Sequence, residues 1–151
     1  MMSEPEESTG SVRQTPIVSV AITAEEAVNY ATQQNGLPVV RKIIITNLAG
    51  EPHSDIRVCV QTQPAFASPW ETWISRISPG EIYSLDPVDL VLSSFFLQNV
   101  TERLTGSVTV TLYAGEQQIG SATSMISIYA FNEWIGQLSG RFPLIDIIFI
   151  I

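Results

Sequence analysis

Residues with catalytic potential occur together in one short stretch of the chain. His53 is followed by Ser54 and Asp55, and Cys59 lies four residues after Asp55. A Ser-His-Asp relay needs the histidine between the other two side chains, but adjacent side chains in an extended chain point apart. The chain has no second histidine that could activate Ser54 or Cys59. These residues therefore predict no nucleophilic centre; His53 is expected at the surface and Cys59 as a small apolar side chain.

Metal and phosphate sites are excluded by residue count and spacing. One histidine and one cysteine cannot complete a zinc shell, and the pair Asp86 and Asp89 lacks a calcium-loop pattern. Gly115 and Gly120 have the spacing of a phosphate-binding loop, but no lysine follows Gly120. The sequence therefore predicts neither a metal nor another cofactor.

Aromatic side chains are the remaining candidates for a binding site. Trp70, Trp73, Tyr30, Tyr83 and Trp134 could together stack against sugar rings. Packing in the core or between sheets is the favoured interpretation, because aromatic residues supply much of a sandwich core. Trp134 in particular is predicted to be mostly buried and to fasten the end of the last strand.

Composition and charge narrow the class of protein. The 151 residues suit one domain, and 15 acidic against 7 basic residues give a net charge of −8. The arginines are scattered, so no direct nucleic-acid binding is expected. A single cysteine excludes an internal disulfide, and neither a secretory signal nor a membrane span is recognisable. These features predict a soluble cytoplasmic protein.

The clearest secondary structure is a hairpin near the C-terminal end. Val108, Val110 and Leu112 alternate with polar residues across 104–113, which is typical of a strand with one buried face. Residues 114–117 form a short polar break with a glycine, and a return strand is predicted over 118–129. This hairpin therefore predicts a β-protein.

The rest of the chain contains further short strands separated by turn signals. Residues 29–31 are expected to be extended, Pro79 and Gly80 indicate a type II turn, and a serine-led stretch at 93–100 predicts one or two helical turns. The remaining strands are predicted at 16–22, 39–46, 56–61, 70–77, 81–85 and 88–92.

This pattern predicts an all-β fold, an antiparallel immunoglobulin-like β-sandwich of about seven to nine strands with one short helical crossover. A barrel is the alternative. We expect a disordered acidic N-terminal segment at 1–15, the β-sandwich domain at 16–135, and an apolar C-terminal tail at 136–151.

The tail is unusual in composition. Residues 142–151 are almost wholly apolar, with Asp146 as their one charged residue, and are too short for a membrane span. Such a β-branched segment pairs readily with exposed sheet edges, so it should be covered by its own domain or by a neighbouring chain. A homodimer through the tail is the simplest expectation. The expected tail contacts are Leu144, Ile147, Ile148 and Phe149.

Several motifs occur in an order that resembles a known domain. They are NYATQQN at 29–35, VVR at 39–41 leading to TN at 46–47, PWE at 69–71, ISPGE at 77–81, TER at 101–103 before Gly106, and AFNEW at 130–134. Together they resemble the N-terminal β-sandwich of large bacterial DNA helicase-related proteins, over roughly residues 16–145. In that family the sandwich precedes a transglutaminase-like region and a superfamily 1 helicase core with a nuclease-like end.

The resemblance implies an accessory role, with neighbouring helicase-like domains or another protein as partner. It transfers no catalytic residue, and no helicase or nuclease activity is expected of these 151 residues. The first hypothesis is therefore a non-enzymatic interaction module in which Trp70, Trp73 and Trp134, besides the tail, provide contacts. The alternative is a carbohydrate- or ligand-binding module that uses exposed aromatic residues. A small enzyme is disfavoured, because no nucleophile, base or metal constellation is recognisable.

Overall fold

The computed structural model describes residues 17–134, in which eight strands form two sheets and two short helices lie in the connections between strands. In chain order the elements are β1 (Val18–Ala24), β2 (Ala27–Val28), α1 (Tyr30–Gln34), β3 (Val40–Asn47), β4 (His53–Gln63), β5 (Trp70–Ile77), β6 (Ile82–Leu85), α2 (Ser94–Gln98), β7 (Leu104–Ala114) and β8 (Gln117–Ile128). The predicted all-β class is confirmed. The segments predicted at 1–15 and 136–151 lie outside the described residues, as do Leu144, Ile147, Ile148 and Phe149.

Two sheets of unequal size make up the fold. The smaller has the order β1-β3-β6 and the larger β2-β8-β7-β4-β5. Neighbouring strands are antiparallel except for β2 and β8, which pair in parallel over two residues each. The expectation of a wholly antiparallel arrangement is wrong at this pair. Because β1 and β2 are consecutive but lie in different sheets, residues 18–28 join the two sheets.

One hydrophobic core takes side chains from both sheets. Ile43 and Ile45 of β3, Val58 and Val60 of β4, and Val110 of β7 are completely buried in the same cluster. They occupy alternate positions, as period-2 strands with one buried face require. Each such side chain contributes roughly 1.5–3 kcal/mol through removal from water, so the core is the main source of stability.

The prediction that residues 29–31 are extended holds for Asn29 but is wrong for Tyr30 and Ala31, because Asn29 caps a helix that begins at Tyr30. The Asn29 Oδ1 accepts from the Thr32 N–H at 3.2 Å, and the Thr32 Oγ1 accepts from the Asn29 N–H at 3.2 Å. This reciprocal capping satisfies backbone donors at the start of α1. The predicted helical turns at 93–100 are confirmed as α2, where the Ser93 hydroxyl accepts from the Phe96 N–H. Within residues 17–134, no helix is long and apolar enough to cross a bilayer.

Two predictions concern the segments before and after β6: the turn at Gly80 is present, and the strand at 88–92 is not. Gly80 has a φ of +77°, and the Glu81 N–H donates to the Ser78 carbonyl at 3.0 Å, as in the expected type II turn. The strand predicted at 88–92 is absent, and only Leu92 forms an isolated bridge, with Ala67. Apolar side chains there pack on the core without a continuous ladder.

Candidate binding face

The outer face of the larger sheet is formed by side chains that alternate with the core positions of β4, β5, β7 and β8. Cross-strand pairing brings them together, since Arg57 faces Trp73 on β5 and Tyr113 on β7. The outer face consists of Arg57, Cys59, Gln61, Glu71, Trp73, Thr109, Thr111, Tyr113, Ser121, Thr123 and Met125.

Arg57 is the centre of a small polar cluster on this face. Its Nη1 lies 2.9 Å from the Glu71 Oε2 and 2.9 Å from the Cys59 Sγ. Its guanidinium carbon lies 4.6 Å from the centroid of the Tyr113 ring, within cation–π range. The guanidinium group therefore contacts both a carboxylate and an aromatic ring, on the strand next to the β5 edge of the sheet.

The pKa values of Arg57 and Cys59 are both raised, and neither shift creates a nucleophile. The hydrogen bond to Glu71 raises the pKa of Arg57, so its charge is permanent. Burial raises the pKa of the Cys59 thiol, against the opposing effect of the Arg57 charge. Cys59 is therefore a protonated thiol at neutral pH, whereas nucleophilic chemistry requires a thiolate.

Two large apolar side chains are exposed at opposite corners of the outer face. Trp73 is 61% exposed and Met125 is 64% exposed. Three strand spacings separate their strands, roughly 14 Å across the sheet. Between them lie hydroxyl side chains, including the Thr109–Thr123 pair whose oxygens are 3.1 Å apart. The charges of Arg57 and Glu71 therefore balance on this face, and large apolar side chains are exposed at two of its corners.

The structure does not bring the three tryptophans together. Trp70 and Trp73 lie on opposite faces of β5, since Trp70 packs partly buried against the core. Trp134 is 52% exposed after the end of β8, so the prediction that it is mostly buried is wrong. Its position follows from a turn at residues 131–132, which takes the chain out over the surface instead of into the core. The single aromatic platform considered from the sequence is therefore not formed.

Of the residues considered for catalysis, Cys59 belongs to the Arg57 cluster, whereas His53 lies outside it. His53 begins β4 and is half-buried, with a buried Nε2 that has no hydrogen-bond partner. It is therefore less exposed than the surface position expected. In the part of the chain that the structure describes, no group of three or more His, Cys, Asp or Glu residues could hold a metal ion.

A second surface lies at the end of the molecule where β7 begins. An open cavity of about 560 Å³ is lined by side chains of α2 and of the loop that follows it. Phe95 at 75% exposure and Leu104 at 41% exposure are its most accessible apolar residues. We call this the α2 cavity; its lining is Phe95, Phe96, Asn99, Val100, Thr101, Glu102 and Leu104.

Comparison of the chain with models of known protein families gives no match. Curated proteins likewise provide no matching sequence. The outer face and the α2 cavity are therefore the candidate functional surfaces of the described residues.

Sequence reasoning did not find the Arg57 cluster. Its members come from β4, β5 and β7, and their proximity depends on the register of three strands. What the sequence does show is that Arg57 and Cys59 alternate with Ile56, Val58 and Val60, which are buried. That alternation identifies a solvent-facing position but not its cross-strand neighbours.

Proposed function

We propose that this domain is a non-enzymatic protein-interaction module with an immunoglobulin-like sandwich fold, and that its outer face binds a protein partner. The strand arrangement supports this fold: a larger sheet lies opposite a smaller one, and the first two strands divide between them. The single Cys59, in a chain without a second cysteine, supports a cytoplasmic location.

The observation that carries the proposal is the composition of the outer face. Tryptophan, tyrosine, methionine and arginine are the residue types enriched at protein interfaces, and this face presents Trp73, Tyr113, Met125 and Arg57 together. Its opposite charges already pair with each other at 2.9 Å. A partner can therefore cover the face without leaving an isolated charge buried, which would be costly.

The resemblance to helicase-related proteins suggests the type of partner. Neighbouring domains of such proteins, the transglutaminase-like region and the helicase core, are the proposed targets. The net charge of −8 favours encounter with a basic protein surface and disfavours a phosphate backbone.

The experiment is calorimetric titration of this chain with the purified transglutaminase-like and helicase regions of the resembling proteins. We expect Trp73→Ala to weaken binding by about tenfold or more, since tryptophan is one of the residue types most enriched among interface hot spots. Ile82→Ala is the matched control, because Ile82 is equally accessible but lies on the smaller sheet. Absence of binding to both regions, or equal losses in the two variants, contradicts the proposal.

One observation favours carbohydrate binding as the second candidate. Trp73 offers an exposed ring beside the hydrogen-bonding groups of Arg57 and Glu71, and sugars use both stacking and hydrogen bonds. Titration of tryptophan fluorescence with a glycan panel, repeated with Trp73→Phe, tests it. A saturable change that is lost in the variant supports sugar binding and removes the case for a protein partner at this face.

A further inference from the structure

The described chain ends beside the α2 cavity and is held there by several hydrogen bonds. The Phe131 N–H donates to the carbonyl of Val100, a cavity residue, at 2.8 Å. The Glu133 carboxylate binds Arg103, whose Nη2 is 2.7 Å away. The Asn29 Nδ2 donates to the Glu133 carbonyl at 2.6 Å. Whatever follows Trp134 therefore starts from a fixed point next to this cavity.

The α2 cavity is suited to apolar side chains. Its lining is mainly apolar, with Phe95 and Leu104 exposed and Phe96 partly exposed. An apolar cavity of about 150 Å³ can hold one benzene molecule. At about 560 Å³ the α2 cavity has room for more than one large side chain.

The chain itself contains a segment of matching chemistry. Residues 142–151 read FPLIDIIFII and begin eight positions after Trp134. Fully extended, those eight positions span at most roughly 26–29 Å, enough to reach a cavity adjoining the point of departure. A short tether also gives the segment an effective concentration in the millimolar range, so even a weak apolar contact would be occupied.

We propose that residues 142–151 dock in cis on the α2 cavity of their own chain, with their apolar side chains against Phe95, Phe96 and Leu104. This inference concerns a different surface from the outer face, so it stands independently of the proposed function. It assigns an intramolecular ligand to the cavity and a cover to the apolar tail, which in water would otherwise pair with sheet edges.

Disulfide trapping in the full chain tests the docking. In a Cys59→Ser background, Ile151→Cys is combined with Glu102→Cys at the cavity or, as the matched control, with Glu116→Cys. Glu116 lies beyond the far end of β7, roughly 33 Å from Leu104 by strand rise. An undocked tail reaches both positions, since 17 residue steps span up to roughly 56 Å. We expect the Glu102→Cys pair to close about tenfold faster, within the monomer.

A second pair of variants separates docking from chance proximity. Phe95→Asp places a charge in the cavity at an already exposed position and should reduce the trapping rate about tenfold, to that of the Glu116→Cys control. Leu48→Asp, exposed elsewhere, should leave the rate unchanged. Equal rates for the two cysteine pairs, insensitivity to Phe95→Asp, or disulfides that form mainly between two chains would each overturn docking in cis.

Discussion

Substitution of Asn29 should destabilise this domain more than its place at the start of a five-residue helix suggests. Asn29 is completely buried, caps α1 through its Oδ1, and donates through its Nδ2 to the carbonyl of Glu133 at 2.6 Å. It thereby connects the first part of the chain to the last described turn.

The expected cost of Asn29→Ala follows from these contacts. Loss of an N-cap costs about 1 kcal/mol. Leaving the part-buried Glu133 carbonyl without its donor adds up to about 1–3 kcal/mol. The sum is about 2–4 kcal/mol, a large fraction of the roughly 5–15 kcal/mol typical of a domain. Asn29→Asp keeps the cap acceptor but replaces the donor with a carboxylate oxygen facing the Glu133 carbonyl at a buried position, so it should cost at least as much as loss of that hydrogen bond.

Urea denaturation at pH 7, followed by circular dichroism, measures the effect. Asn35→Ala is the matched control, since Asn35 ends the same helix and its side chain bonds the Ala31 carbonyl at the exposed surface. It should cost well under about 1 kcal/mol. If Asn29→Ala loses no more stability than Asn35→Ala, the argument that the buried amide holds the two ends of the domain together is refuted.

Four further predictions concern two glycines, one ion pair and the net charge. Gly80→Val should cost more than about 1 kcal/mol in thermal melts because Gly80 has a φ of +77°, whereas Gly50→Val, at an open position, should cost less. Gly120→Ala should cost about 1–3 kcal/mol in urea, because a Cβ there would lie 2.7 Å from a backbone oxygen of β1; an unchanged midpoint contradicts this. Hydrogen bonds from Arg103 and from the Ala130 N–H lower the pKa of Glu133 below 4.5. The ionised Glu133 therefore contributes fully to the free energy of unfolding above that pH, and the contribution is lost as pH falls through the folded-state pKa. Glu133→Gln should therefore flatten the fall in urea midpoint below about pH 4.5, and an unaltered slope would exclude this ion pair as its source. Finally, a gel shift at low salt should show no submicromolar binding to duplex DNA, as expected from the net charge of −8.

Regular alternation made much of the fold predictable. The strand at 70–77 and the hairpin with buried Val108, Val110 and Leu112 follow from period 2 together with glycine at the turn. These signals are local, since each residue's face is determined by its neighbours along the same strand. The predicted two-sheet class therefore agrees with the structure.

Features that depend on distant partners were not predictable in the same way. The helix at Asn29 is stabilised by capping and by contact with Glu133, 104 positions away, so local extended propensity was a poor guide. Trp134 is apolar but exposed, because a turn rather than a strand precedes it. The Arg57 cluster likewise required the register between three strands, which no single strand encodes.

The long separation between Asn29 and Glu133 has a consequence for synthesis on the ribosome. At about 5–20 residues per second, the 104 positions between them take about 5–20 s to translate. During that time β2 has no partner, because it pairs only with the end of β8. Val28, fully buried in the finished domain, therefore lacks its β8 neighbours throughout this interval. The contacts of β2 and Asn29 can therefore form only after the last described turn has been synthesised, against strands made seconds earlier.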